Sequence, residues 1–414
     1  MSKTLPITLP YLGMDVLSSE TAIVKGAVRS AINVDIGRAG RYARRNGFTK
    51  QLSTDGLHSL YHAAQKGWTL VAKDNVVNRL DTSSYALTPL FAAASADPFD
   101  YTEYNGNLYI SNRSSFGWVP SDSTTARQVG VPTPDAPLLS AGPGGLLAGT
   151  YGLVITYVDD RGEEGGASAL STIELPEGGG IRLSNLTIPA GYRAYVYVTS
   201  TDGDVMRWVA AIPHVFVNYV VGEQSMGSKC DNQHLVPMPG GSIVRWHNGR
   251  LVTAHLGTLR VSEPLQPHLH NPAHGVIPFS GFISFVESVN DGLFVGDSRG
   301  IWFLSGNDPS KFDARRVSTC RAAMRSSIMV PSEHFPQKMV QTDQPVALWL
   351  STSGYVVGMP GGTTVELHPD RIKVPPGLTG RSVFLLRNGR KQVITPVNSS
   401  VAAAFGVAVD SDIP

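Results

Sequence analysis

One short unit recurs along this chain and limits what it can fold into: a turn dipeptide ending in glycine, followed at once by an apolar strand. Its copies read Lys66-Gly67-Trp68-Thr69-Leu70-Val71, Asn105-Gly106-Asn107-Leu108-Tyr109-Ile110, Asn248-Gly249-Arg250-Leu251-Val252 and Asp291-Gly292-Leu293-Phe294-Val295. Two looser copies are Ser353-Gly354-Tyr355-Val356-Val357 and Asn388-Gly389-Arg390-Lys391-Gln392-Val393-Ile394. Asn-Gly and Asp-Gly favour the positive φ angles of a type I′ turn, whose twist matches two antiparallel strands, so each copy predicts a β-hairpin. Successive glycines lie mostly about 35 to 60 residues apart, the spacing of one propeller blade per repeat.

Composition agrees with an all-β reading. Gly 43 and Pro 28 make up about a sixth of 414 residues and are spread throughout, which favours short strands and tight turns over long helices. Charged residues are only 16%, against about 25% for average soluble domains, and interface cores are depleted of charge. A chain of this size with so few charges is expected to hide surface in subunit contacts. The net charge of +1 gives no global attraction to nucleic acid or anionic lipid. No run of 18 apolar residues predicts a membrane span, and Met1 to Pro10 does not read as a secretory signal. Cys230 and Cys320 are expected as reduced thiols, as in a protein assembled in a cytoplasm.

Residues 1–30 read as an extended N-terminal arm and 31–136 as the first part of a propeller, opening with a hairpin from Ala31 to Phe48. Pro132-Thr133-Pro134-Asp135-Ala136-Pro137 is a stiff linker into a different kind of segment, 137–235. There, Tyr151 to Val158, Ser168 to Leu175, Ile181 to Leu183, Tyr192 to Val198 and Val215 to Val220 contribute to about seven short strands, the density of a β-sandwich. The proline entry, the Tyr195-Val196-Tyr197 strand and the Gly162-Glu163 turn resemble a fibronectin type III domain. The hairpin unit resumes at Ile243-Val244-Arg245-Trp246, so 236–414 reads as the second part of the propeller. An insertion of this kind adds little loop-closure entropy when its ends lie close together. Residues 311 to 343 are open to either a helix or a long loop.

Common catalytic motifs are absent: no Gly-x-Ser-x-Gly, no Gly-Lys-Ser/Thr phosphate loop, no His-Glu-x-x-His and no Cys-x-x-Cys. His268-Leu269-His270 with His274, His255 and His247 has the alternation that puts two imidazoles on one strand face. Prolines surround it and no carboxylate or thiol is near in sequence, so turn and packing roles are expected, with no metal and no cofactor. Asp159, Asp160, Glu163 and Glu164 read as a solvated hairpin tip, because the oxygens do not alternate as a calcium loop requires. The densest basic run, Arg38, Arg41, Arg44, Arg45 and Lys50, suits a path for DNA that neutralises phosphates without reading bases. A solvated hairpin or a subunit contact is the other reading. Trp68, Trp118, Trp246, Trp302 and Trp349 fall in or beside repeats, as blade core or as stacking platforms for sugars.

Two stretches carry a family resemblance. Asn33-Val34-Asp35, then Gly37 to Arg45 and Gly47-Phe48, resembles the opening of phage virion proteins. Asn248 to Ala254, Arg260-Val261-Ser262-Glu263-Pro264, Pro278-Phe279, Asp291 to Gly296 and Ile301 to Pro309 resemble the propeller of tail hub (nozzle) proteins of short-tailed bacteriophages, the group that includes packaged-DNA stabilisation proteins. The resemblance implies a virion protein in a homo-oligomeric ring, commonly a hexamer, below the portal and its adaptor. Such a ring holds packaged DNA, conducts it during ejection and often carries fibres or spikes. It implies no catalytic residues. The alternative is a carbohydrate-binding or glycan-cleaving propeller on a tail tip or cell surface.

Overall fold

The computed structural model describes residues 13–19, 21–31, 34–36, 42–44, 49–184, 186–213, 219–221, 226–306, 308–368, 371–387 and 390–398. Their regular structure is all β, a propeller-like array of hairpin blades interrupted by a two-sheet sandwich. The helical elements among the described residues are three-residue 3-10 turns, at Pro309–Lys311, Ser332–His334 and Pro360–Gly362.

Each blade is an antiparallel meander. The first runs Leu57–Ala63, Trp68–Lys73, Val76–Leu80 and Leu87–Ala92. The second runs Asp100–Tyr104, Asn107–Ser111, Phe116–Val119 and Arg127–Gln128. Beyond the sandwich, the third is built on Ile243–His247, Arg250–His255 and Thr258–Glu263, with Gln266–His270, Val236–Pro237 and Val276–Pro278 at its outer side. The fourth is Phe285–Val289, Gly292–Asp297, Gly300–Ser305 and Asp313–Ser318. The fifth is Ile328–Val330, Val346–Ser351, Gly354–Gly358 and Thr364–Glu366. A last hairpin, Val383–Arg387 with Arg390–Ile394, packs against the fifth blade. The stretch 311–343 thus supplies an outer strand of one blade, Asp313–Ser318, and the inner strand of the next, Ile328–Val330, with the 3-10 turn Ser332–His334 following it.

The blades stack because their strands are apolar on both faces. Leu293 and Val295 join Val252, Val261 and Val286 in the cluster between blades three and four, whereas Phe294 between them joins Phe303, Trp349 and Val356 on the side of blade five. Side chains along a strand alternate in direction, so one strand feeds two cores. The same division gives separate clusters between blades one and two and between two and three. Inner strands therefore lie side by side: 100–104 packs against 57–63 and 243–247, and 243–247 against 285–289.

Turn chemistry follows the sequence in some copies and departs from it in others. Asn105 and Gly106 have φ of 48° and 76°, and Asn248 and Gly249 have 44° and 78°, as a type I′ turn requires. At Asp291-Gly292 the two-residue loop is Asn290-Asp291, neither residue has positive φ, and Gly292 already pairs with Val289 in the ladder. Glycine is needed there for space, since a Cβ would lie 2.5 Å from both the Leu304 carbonyl oxygen and the Phe303 ring. Asn388-Gly389 lies outside the described residues.

The sandwich pairs a three-stranded sheet, Leu138–Leu146, Gly179–Ser184 and Tyr219–Val221, with a four-stranded one ordered Ser171–Leu175, Gly149–Val158, Arg193–Val198 and Arg207–Pro213. Tyr151, Leu153, Ile155 and Tyr157 alternate inward against Ile181, Leu183 and Val196. The order of the larger sheet is that of the C′, C, F and G strands of an immunoglobulin-like sandwich, and the first and fourth strands take the places of B and E. Strand A of that plan has no counterpart before Leu138. Instead 219–221 adds to the far side of the E position, in the register Leu183 with Tyr219. The chain is tied at the base of the insertion, where the Ala167 N–H donates to the Asn232 carbonyl at 3.0 Å and Asn232 Nδ2 donates to the Gly165 carbonyl at 3.2 Å.

Candidate functional site

Charged residues of the inner strands and of the segments beside them converge on the axis of the array. Arg245 Nη1 donates to Asp100 Oδ2 at 2.6 Å, and Arg245 Nη2 and Nε donate to the two oxygens of Glu287 at 2.9 and 3.2 Å. The other Asp100 oxygen accepts from Arg381 at 3.1 Å, and the Ser327 hydroxyl donates to Glu287 at 2.8 Å. Arg325 Nη2 reaches across from the fifth blade to the carbonyls of Ser242 and Pro98, at 3.0 and 3.3 Å. The network links blades two to five and the approach to the last hairpin.

The side chains of Asp100 and Glu287 are only 5% and 4% exposed, so each requires its partner. Burial raises the Asp100 carboxyl, but Arg245, Arg381 and Arg325 outweigh it and hold it down at about 2. Burial opposes the charge on Arg245 and is outweighed by Asp100 and Glu287. Arg325 is pulled down to about 10 by burial, then by repulsion from Arg381. Its backbone is left-handed, at φ 59°, an uncommon conformation for a non-glycine residue. A pocket of only about 30 Å³ remains beside it, with Asp97, Arg113 and His255 on its wall. The axis is therefore occupied by ion pairs rather than left as a bore.

A second cleft, about 320 Å³, lies where the sandwich meets blades two and three. Tyr109 and Trp118 form its floor, Arg161 and Glu163 come from the sandwich turn, and His268 from the third blade. Arg161 sits 5.6 Å over the Trp118 ring and pairs with Asp122 at 3.3 Å. Burial, then Asp159, raises the Glu163 carboxyl to about 7. Burial lowers His268, whose Nε2 lies 3.1 Å from the Glu164 carbonyl. The acidic turn is thus divided: Asp160 pairs with Arg127 at 2.5 Å, Glu164 accepts from Thr156 and Tyr197, and Glu163 faces the cleft.

A third cleft, open and about 440 Å³, sits at one end of the axis, against the Asn248-Gly249 turn and the ends of inner strands. It begins a stack of rings that runs inward. Tyr104 lies on Trp246 at 3.9 Å, Trp246 is 6.2 Å from Tyr109, and Tyr109 is 6.2 Å from Trp118.

The histidines separate. His270 Nδ1 is 2.9 Å from the Val261 carbonyl, and His247 Nδ1 is 2.8 Å from the Ser288 hydroxyl, with burial lowering His247 to about 4. Among the described residues no three His, Cys, Asp or Glu side chains converge as metal ligands. Cys230 is buried and Cys320 half-buried, both as free thiols. Of the basic run, Arg44 and Lys50 are exposed, while Arg38, Arg41 and Arg45 lie outside the described residues. The tryptophans divide too: Trp349 is wholly buried, Trp68 lies beneath Arg79 at 4.1 Å, and Trp246 borders the open cleft. The axial network was missed by motif reading. Its signal was a charge inside an apolar strand, as in Ile243-Val244-Arg245-Trp246 and Phe285-Val286-Glu287-Ser288.

No protein-family model matches the sequence, and no curated protein matches it. Among solved structures, the chain is similar to the extracellular domain of the putative one component system BT4673 from B. thetaiotaomicron, at 13% identity and a TM-score of 0.30. That match covers 86% of this chain and 38% of the other. It is also similar to PorZ, a bacterial surface component of the type-IX secretion system of Porphyromonas gingivalis, at 12% identity and a TM-score of 0.18. The match covers 86% of this chain and 55% of PorZ, so the chain spans about half or less of either structure. No helix among the described residues is long and apolar enough to cross a membrane.

Proposed function

We propose that the chain is a structural subunit of a bacteriophage tail hub, a wall element of a ring that retains packaged DNA and conducts it on ejection. The occupied axis carries this reading. Arg245, Asp100, Glu287 and Arg381 leave the array without a bore, so a conduit built from this chain runs between copies and not through one. Large apolar side chains stand exposed on the blades and the sandwich alike: Leu265 at 77%, Leu60 at 69% and Leu147 at 62%. Residues of the resemblance, Val252, Val261, Leu293 and Leu304, are blade core, which suits a fold kept for shape. In such a ring of about six copies, the basic run that includes the exposed Arg44 and Lys50 serves passing DNA, the blades meet portal and adaptor, and the sandwich offers a surface for fibres or spikes. The chain has no catalytic part in this scheme.

Native mass spectrometry and electron microscopy of the purified chain, alone and with portal and adaptor, test it. A ring of about six copies, or a ring formed only with those partners, is expected. A monomer that joins neither itself nor them overturns the reading. In particles, Arg44→Glu with Arg45→Glu is expected to release packaged DNA early, and normal retention removes that run from the DNA path.

A further inference from the structure

The open cleft at the end of the axis differs from the axial pocket and the junction cleft in having no acidic, basic or histidine side chain on its wall. The junction cleft presents Arg161, Glu163 and His268, and the axial pocket presents Asp97, Arg113 and Arg325. The third cleft is lined instead by Tyr104 and Trp246, by Met329, and by the neutral polar side chains of Asn248, Ser288, Asn290 and Gln344, with four blades contributing. In a chain whose axis is filled with ion pairs a few residues away, a wall of this size without charge offers an ionic ligand no counter-charge to pair with, so it favours neutral ones.

The aromatic part of the wall is pre-arranged. Tyr104 and Trp246 lie nearly parallel, 12° between planes, and Tyr109 supports Trp246 from the core side at 24°. A ring held this way loses little freedom when a ligand is laid on it. Both side chains are half-buried and line the cleft, with Tyr104 the outermost ring of the stack. Asn290 and Gln344, both exposed, bring amides that donate and accept at once. A hydroxyl group also does both. Flat apolar ring faces bordered by amides match a molecule with C–H faces and many hydroxyls. The volume falls in the range of about 300–1,000 Å³ usual for ligand sites. Its openness favours a polymer lying across it over a small molecule that must be enclosed.

We propose that this cleft binds a neutral polysaccharide, with Tyr104, backed by Trp246, as the platform and Asn290 and Gln344 as the hydrogen-bonding rim. The proposal does not depend on ring assembly: a monomer with this activity overturns the hub and leaves the cleft standing, and a ring without it does the reverse. The test is an array of bacterial surface polysaccharides, neutral and acidic, probed with the full chain and followed by tryptophan-fluorescence titration of the retained neutral ones. The wild type is expected to retain neutral polysaccharides. Tyr104→Ala is expected to abolish retention. Asn290→Asp with Gln344→Glu changes exposed side chains only, and is expected to weaken binding at least about tenfold, which corresponds to about 1.4 kcal/mol, with an unchanged melting temperature. The proposal falls if no neutral polysaccharide is retained, if only acidic ones are, or if the Asn290→Asp and Gln344→Glu chain binds as the wild type does.

Discussion

The sandwich and the blade array bury their strands in different ways. In the sandwich, Tyr151, Leu153, Ile155, Ile181, Leu183, Val196 and Ile212 meet in one apolar cluster that takes Val131 from the flanking chain and nothing from the blades. In the array, these apolar clusters are pairwise, each shared by two neighbouring blades, and what links blades two to five is the ionic group of Asp100, Arg245, Glu287, Arg325 and Arg381. One region needs only its own sheets. The other needs distant parts of the chain present together, and water excluded from them. Stability in the array is therefore expected to respond to charge, and in the sandwich to volume.

The comparison is most exposed at Arg245. Arg245→Ala leaves Asp100 and Glu287 buried without their shared partner, at a cost of about 3–5 kcal/mol. Calorimetry should show the array's transition falling while the sandwich's stays in place. A single transition that falls as a whole breaks the distinction. Leu183→Ala, at a fully buried sandwich position, is expected to cost about 2–5 kcal/mol and to move only the other transition.

Acidity separates the regions by sign. Asp100 is held below its ordinary 3.8, at about 2, so its contribution to the array is complete above about pH 4 and is lost as pH falls toward 2. Glu163, in the sandwich turn, is raised from 4.5 to about 7, so the folded chain holds that proton more tightly. Its contribution is complete below about pH 4.5 and is lost as pH rises through 7. Glu163→Gln should flatten that limb and raise the melting temperature at pH 8 by about 2–4 °C. No gain at pH 8 shows that the carboxylate there is already well solvated. The smallest effect is at the turns: Asn248→Ala, at φ 44°, is expected to cost about 1 kcal/mol in urea unfolding without altering the slope.

Much of this was readable where the signal is local. Asn105-Gly106 and Asn248-Gly249 announce their turn type because positive φ is a property of two residues. The sandwich could be read from Tyr151 to Val158, since alternation and length are written in one segment. Gly292 looked like the same turn residue and proved to be a clearance for Phe303, which depends on a neighbouring strand. The axial network was illegible for the same reason: Asp100 and Arg381 are 281 positions apart, and no window on the sequence contains both. The open cleft joins Tyr104, Trp246, Asn290 and Gln344 from four blades, so its neutrality exists only after folding.

That separation of 281 positions also has a meaning in time. At about 5–20 residues per second, a ribosome needs roughly 14–56 s to travel from Asp100 to Arg381. Until Arg245, the first of its charged partners, is made, the aspartate has no lasting reason to leave water, whereas every described strand of the sandwich precedes Arg245 in the chain. The inserted unit is thus free to finish first, and the array is committed only when the last arginine arrives. A chain cut short before residue 381 would carry its blades with the final pairing of Asp100 unmade, and so would be marked, by its own electrostatics, as incomplete.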